Sequence, residues 1–413
     1  MSVYFHRNKK GGIAMATVRI PVKPDILKWV SNQSGNLLTD DWKSKLEQWT
    51  KQEKQPTVNQ LKQLSQKTKI PFGYFFLQNI PKEEIPLLKF RTINNYEIEH
   101  PSRDLIDTIV DMETKQDWLS NYRQKQGFPK NNFYAFSRHI NNISQLSDPQ
   151  KAQNILECLD LSIGWNFKKG VTKPFKKLRQ HLNNAGITVM TNGQVGNNTR
   201  RPLDQNEFRA FALADDYAPL IFINSNDSYR AMLFSLVHEL VHLWFGTSEL
   251  FNADLKLENN YINSLTEQDI NQISEEIIFP KELFLQLWRQ ELTDDDDQLQ
   301  QVLDISKKFG ASPLSTGIRS LHLNLIPQKV IGQLQDYLQN EYDHKKLANK
   351  ESSGAPKYYV VRASRIDHNF VEDVNRSAKS GQTTYTEAFE LLNVKNNNSF
   401  NKLVNEVRGE KND

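Results

Sequence analysis

Cysteine is almost absent from this chain: Cys158 is the only one among 413 residues. One cysteine excludes an intrachain disulfide and a thiolate zinc cluster, and it fits a reducing compartment, so a cytoplasmic protein is expected. No histidine pattern surrounds Cys158, and its expected role is that of a buried helix residue. The chain also lacks any run of 18 apolar residues, which excludes a membrane-spanning helix. A secretory signal is missing as well: residues 1–14 are basic and polar, without an apolar core. They are expected to form a disordered extension ahead of Met15, which reads as the more natural start. Charge is not lopsided, at a formal +3, with 24% charged and 38% apolar residues. That balance describes a globular protein rather than a disordered one. A chain of 413 residues has room for two or three domains, each with its own core.

What is present is concentrated at residues 238–242, His-Glu-Leu-Val-His. They lie within YRAMLFSLVHELVHLWFG, residues 229–246, where Met232, Leu233, Leu236, Val237, Leu240, Val241 and Leu243 give the pattern of a buried helix. Asp227 or Ser228 is the expected cap and Gly246 the stop. On a helix, His238 and His242 lie one turn apart on one face. Two neutral imidazoles at that spacing can bind one Zn²⁺, and zinc lowers the pKa of a bound water to about 7. Glu239 is then the candidate catalytic residue, a general base that accepts the water's proton.

A zinc site of this kind needs a third protein ligand. With one cysteine in the chain, it must come from histidine or a carboxylate. TEQDINQISEEIIFP, residues 266–280, reads as a helix capped by Thr266 and ended by Pro280, with Ile270, Ile273, Ile277 and Ile278 as its apolar face. Glu267 is the leading candidate. Glu275 and Glu276 compete with it, although a solvated helix face is the expected setting for both. His100, His139, His181, His322, His344 and His368 are scattered and expected to be ordinary surface or core residues. Tyr229 and Tyr261 lie near enough in sequence to polarise a substrate carbonyl, and the sequence does not choose between them.

These segments resemble the ImmA/IrrE family of metallopeptidases. That family typically shows R-x-x-F-T-L-A-H-E-L-G-H, here Arg230 to His242. A second helix of the form E-x-x-A-N-x-F-A-x-E-L-L-x-P follows, here Glu267 through Asn271, Ile273 and Glu276 to Pro280. This chain departs from the pattern at Val241 and Ser274, neither of which is a ligand. Residues 208–228 resemble the two strands before the active helix, with Phe208–Leu213 and Leu220–Ile223 as strands and Asp215, Asp216 and Pro219 between them. The N-terminal part, with VKPDILKWV and LEQWTKQEKQPTVNQLKQLSQKTKIPFGYFFL, resembles the truncated Xre-type helix-turn-helix of long family members. The C-terminal segment from Tyr358 resembles their tail.

The resemblance implies a zinc-dependent endopeptidase in which His238, His242 and Glu267 hold Zn²⁺ and Glu239 is the base. It implies a site-specific regulatory protease or antitoxin-type partner in a bacterial or prophage system. The partner would be a protein substrate or a toxin, such as a PIN-like nuclease or a helix-turn-helix repressor. The alternative is a non-proteolytic antitoxin that sequesters its toxin, or a DNA-binding transcription regulator, on a peptidase-like scaffold.

The expected fold is α+β, mainly helical, with a small sheet in a zincin-like domain flanked by helical modules. Residues 1–14 form the extension, 15–92 the degenerate helix-turn-helix-like module and 93–147 a linking segment with one helix from Ser102 to Gly127. The peptidase domain and its following helices occupy 148–345, a linker 346–357 and a small helical module 358–413. Within the peptidase domain, helices are expected at 148–168 and 174–185 and a strand at Ile187–Met190. A polar loop runs from Thr191 to Pro202. Asp294–Asp297 opens a helix, and Gly310 and Ser312 mark a turn between two packed helices. Two or three small helices follow the linker.

Residues 17–92 hold 13 Lys and Arg against 7 Asp and Glu, an excess of +6 that suits weak phosphate binding. The stretch Gly35–Trp49 is too short for the second and third helices of a full helix-turn-helix, so protein contact or homodimerisation is expected over groove reading. Deleting residues 1–92 should therefore spare zinc uptake and weaken partner engagement or self-association. Any DNA affinity should fall steeply with salt and show little sequence preference. A nanomolar, sequence-selective complex at physiological salt, lost on that deletion, would overturn this expectation.

Overall fold

The computed structural model describes residues 19–34, 38–81, 101–167, 173–246, 266–290, 297–348 and 357–409. The extension 1–14, Tyr261, Asp294–Asp296 and most of the linker lie outside the described residues. The chain divides into two compact units: a smaller one runs to Pro86 and takes in Glu99–Ile106, and a larger one holds Asp107–Asp413.

The smaller unit packs α1 (Pro24–Ser34), α2 (Asp40–Thr50) and α3 (Val58–Thr68), followed by a 3-10 turn at Phe72–Phe76. Leu27, Val30, Leu46, Leu61, Leu64 and Phe75 fill its core, and Trp42 meets Trp49 edge-on at 6.2 Å. Between Leu38 and Thr50 the chain forms α2, and the next helix forms downstream. There Thr57 and Gln60 make a reciprocal capping box, with Gln60 N–H donating to Thr57 Oγ1 and Thr57 N–H to Gln60 Oε1.

The larger unit is mainly helical with one small sheet. Before the sheet come α4 (Arg103–Lys125), which belongs to this unit from Asp107 on, α5 (Asp148–Glu157) and α6 (Pro174–Asn184). The expected helix 148–168 stops at Glu157. Asp160 turns the chain with φ +52°, and Trp165 and Asn166 then face inward to donate to main-chain carbonyls of Ile277, Ile278 and Phe309. Those buried bonds need a turn that a continuous helix would not provide.

The sheet comprises β1 (Thr188–Asn192), β2 (Ala210–Leu213) and β3 (Leu220–Asn224) in the order β1-β3-β2. β1 runs parallel to β3, with Thr188 opposite Leu220, and β2 runs antiparallel to it, with Ala210 opposite Ile223. All five residues of β3 are buried, as befits a central strand covered on both faces. Asp215 closes the β2–β3 turn by accepting from Tyr217 N–H and Ala218 N–H. The 191–202 loop is tied down by Asn226, whose Nδ2 donates to the carbonyls of Gly193 and Leu203.

After the sheet come α7 (Tyr229–Phe245), α8 (Glu267–Ile278), α9 (Lys281–Gln290), α10 (Gln298–Phe309), α11 (Pro313–His322) and α12 (Gln328–Ala348). α7 lies against β2 and β3 and between α6 and α8. It is the centre of the main core: Leu233, Leu236, Val237, Leu240, Val241, Leu243 and Trp244 are all fully buried. Each such side chain contributes about 1.5–3 kcal/mol. Asp297 caps α10 through Leu299 N–H and Gln300 N–H, and Gly310, at φ +61°, makes the turn before Ser312 caps α11.

Four short helices end the chain, where two or three were expected: α13 (Tyr358–Arg365), α14 (His368–Lys379), α15 (Tyr385–Leu391) and α16 (Asn397–Arg408). They belong to the larger unit. The corner between α13 and α14 seals the outer edge of β1: Asp367 Oδ2 accepts from Val189 N–H at 3.0 Å, and Arg179 Nη2 donates to the carbonyls of Val189 and Ile366, each at 2.8 Å. Burial pushes the Arg179 pKa down and Asp367 opposes that shift. From α4, Gln116 donates to the carbonyls of Leu213 and Ala218, while Trp118 donates to Thr383 Oγ1 and meets Phe370 edge-on. One helix thus braces the sheet and the C-terminal helices together.

α7 ends at Gly246 with φ +68°, and a Cβ there would lie 2.6 Å from Ala135 Cβ. Gly127 also has a positive φ, of +75°, but a Cβ there would meet nothing within 4 Å. Gly246→Ala should cost more than the ~1–2 kcal/mol of a left-handed alanine, and Gly127→Ala about that much alone. Urea unfolding of the two variants measures the difference, and equal losses would contradict the assigned close contact.

Candidate metal centre

Ser228 starts α7 by accepting from Ala231 N–H at 3.2 Å, which leaves Tyr229 in the first turn and the His-Glu-Leu-Val-His run in its second half. Every residue from Leu236 to Phe245 is buried except Glu239, which is half-buried. The carboxylate thus lies on the one partly open line of an otherwise enclosed stretch. His238 and His242 retain only 4% and 5% exposure, and their Nε2 atoms are 3.0 Å apart.

The third group comes from the first residue of α8. Thr266 caps that helix in a reciprocal box with Asp269: Thr266 N–H donates to Asp269 Oδ2 at 2.8 Å and Asp269 N–H to Thr266 Oγ1 at 3.3 Å. This fixes the first turn, where a carboxylate is also favoured by the helix dipole. Glu267 Oε1 lies 3.5 Å from His242 Nε2, and Glu267 Oε2 lies 3.7 Å from His238 Nε2. The Glu267 side chain is 40% exposed, so the site is closed on the imidazole side and open on the carboxylate side.

The donor set fits zinc. A tetrahedral ion with ligands at about 2.0–2.1 Å separates neighbouring donor atoms by roughly 3.3–3.4 Å. The two Nε2 atoms lie 3.0 Å apart, each has one Glu267 oxygen at 3.5 or 3.7 Å, and one donor atom from each residue falls within 4.8 Å of the others, somewhat wider than that length. Among the described residues, no other group of three His, Cys, Asp or Glu converges in this way. Two histidines and a glutamate leave a fourth position for water or substrate, the pattern of catalytic rather than structural zinc.

The other candidates lie elsewhere. Glu275 and Glu276 do not form a solvated face: they are only 3% and 7% exposed. Arg319 reaches both, with Nη1 donating to Glu275 Oε2 at 3.3 Å and Nη2 to Glu276 Oε1. His322 Nδ1 lies 2.9 Å from Glu275 Oε1, and Glu276 Oε2 accepts from Lys281 N–H at 3.1 Å. α8 is covered by α5 and α7, and this end of it is met by α11, so the side expected to face water is buried too. Arg319 carried no sequence signal, because it lies 43 residues beyond Glu276. Tyr229 packs against Phe175 at 6.0 Å and is nine residues from His238, about 180° round the helix, so it faces away from the site. Cys158 is half-buried just after α5, and burial pushes its thiol pKa up, away from nucleophilic use.

A buried His-Glu-x-x-His helix laid on a small sheet, with a carboxylate from the following helix, is the architecture of a zincin-like metallopeptidase domain. Residues 183–320 match the family model Peptidase_M78, the IrrE N-terminal-like domain, so the chain carries a domain of that kind. That match includes all three strands, α7, α8 and Arg319. Residues 366–406 match DUF8813, a domain of unknown function. No curated protein and no solved structure matches the chain. Among the described residues no helix is long and apolar enough to cross a membrane.

Purified protein should carry about one zinc per chain, and His242→Ala and Glu267→Ala should each lose most of it, as read by elemental analysis. Full occupancy in Glu267→Ala would remove that residue from the ligand set.

Proposed function

We propose that this chain is a zinc-dependent endopeptidase that cuts one protein partner as a regulatory step. The observation that carries the reading is the convergence of His238, His242 and Glu267 within 4.8 Å of one another, inside a domain that matches a peptidase family. When bound there, zinc supplies Lewis acidity toward water and a peptide carbonyl. His238 and His242, with Nε2 atoms 3.0 Å apart, would hold the ion, and Glu267 would add the negative charge. Glu239 accepts the proton of the attacking water and returns it to the departing amine, so that one carboxylate serves as base and then acid. Its half-buried position on the open line of α7 suits both roles, since it must meet water and yet remain beside the buried imidazoles.

The proposed setting is a bacterial or prophage regulatory system in the cytoplasm, with the partner a helix-turn-helix repressor or a toxin such as a PIN-like nuclease. The smaller unit, with its excess of basic residues, engages that partner or a second copy of the chain and touches DNA only weakly.

Glu239→Gln keeps the shape of the side chain and removes the base. It should leave zinc content and unfolding unchanged and lower kcat for the cognate partner at least ~10²-fold. Co-purification with the product of the adjacent gene would supply that partner, and gel analysis would show whether it is cut. Regulation that persists undiminished in Glu239→Gln would favour sequestration on a peptidase-like scaffold.

A further inference from the structure

The register of α8 decides where Glu267 sits, and most of what holds α8 constrains that register only loosely. Its apolar face, Ile270, Ile273, Ile277 and Ile278, sets which side of the helix faces the core, but burial alone pins neither the exact rotation nor the axial position. Trp165 and Asn166 hold the carbonyls of Ile277 and Ile278 at 3.2 and 3.0 Å, but every helical residue offers a carbonyl. The pair Glu275 and Glu276 is different. Both carboxylates are buried, both meet the same guanidinium, and Glu276 also accepts from the first backbone N–H of α9. A slip of one residue would move α8 by about 1.5 Å and turn it by about 100°. The guanidinium would then face Ser274 or Ile277, and a buried carboxylate would lose its partner, which is strongly disfavoured. At the other end of the helix, the same slip would carry Glu267 off the line to His238 and His242.

We propose that Arg319, acting through Glu275 and Glu276, is a positioning residue for the metal centre: it fixes the axial register and rotation of α8, and so sets the Glu267 carboxylate opposite the two imidazoles. The inference rests on the reading of those three residues as a zinc site. Glu275 follows Glu267 by eight residues, a rigid span of about 12 Å, so Arg319 acts on the ligand through the helix and not by touching it.

Two variants test this. Arg319→Lys keeps the charge but loses the planar fork that reaches two carboxylates. The triple variant Glu275→Gln, Glu276→Gln, Arg319→Met removes all three charges together, so that no ion is stranded in the core. Leu403→Ala, a cavity in the fully buried part of α16, which packs on α13, α14 and α15, serves as a destabilised control. Circular dichroism and denaturant unfolding establish that each is folded. Zinc affinity by chelator competition should fall ~10–100-fold in both cluster variants, the scale seen when support behind a metal ligand is removed. The visible absorption of the Co²⁺-substituted protein should shift and change intensity in the same variants, while Leu403→Ala keeps the wild-type affinity and spectrum. Wild-type affinity and spectrum in a folded cluster variant would overturn the positioning role and leave the zinc site standing. An equal loss in Leu403→Ala would also overturn it, because the effect would then follow stability alone. A wild-type chain that takes up neither zinc nor cobalt would overturn the metal centre and this inference with it.

Discussion

An imidazole buried in an apolar helix costs free energy unless its ring nitrogens find partners. α7 carries two, one turn apart, at the middle of the largest core in the molecule. The carboxylate of Glu267 meets both of them across the contact between α7 and α8. The rest of the domain is arranged around that contact. The sheet backs α7 from below, and Gly246 stops it against the chain at Ala135. The far end of α8 is gripped by Trp165, Asn166 and Arg319. Core packing and donor placement are the same set of contacts, so loosening one loosens the other.

The parts of this arrangement that were legible in the sequence are those encoded locally. Ser228, Thr266 and Gly246 act as a cap, a cap and a stop, as their residue types and positions imply. The His-Glu-x-x-His spacing puts two rings on one face of any helix, and the apolar run at 220–223 could only be a buried strand or a buried helix, with its length deciding for the strand. What escaped is encoded at a distance. Glu275 and Glu276 look like surface residues because their partner lies far along the chain. The helix begun at Asp148 looks continuous to 168 because nothing nearby announces that Trp165 and Asn166 must turn inward to serve carbonyls of α8 and α10. Glu267 was legible as the leading one of three candidate glutamates, the resemblance supported it, and it is the fold that brings it to the imidazoles.

The C-terminal helices show a second kind of dependence. They add no group to the metal centre, yet Asp367 and the 364–366 carbonyls meet Arg179 and the outward N–H and C=O of Val189. An exposed strand edge is a template for unwanted pairing, and here it is capped by side chains rather than by another strand. α4 ties the same helices to the β2–β3 turn through Trp118 and Gln116.

That cap gives the sheet a polarity. A three-stranded sheet has two margins, and one of them is already spoken for by the protein's own C-terminal corner. At that margin another strand could not pair with Val189 without displacing Asp367 and Arg179. The residues that close this margin lie outside the stretch that matches the peptidase family, in regions whose sequence contains no peptidase motif at all.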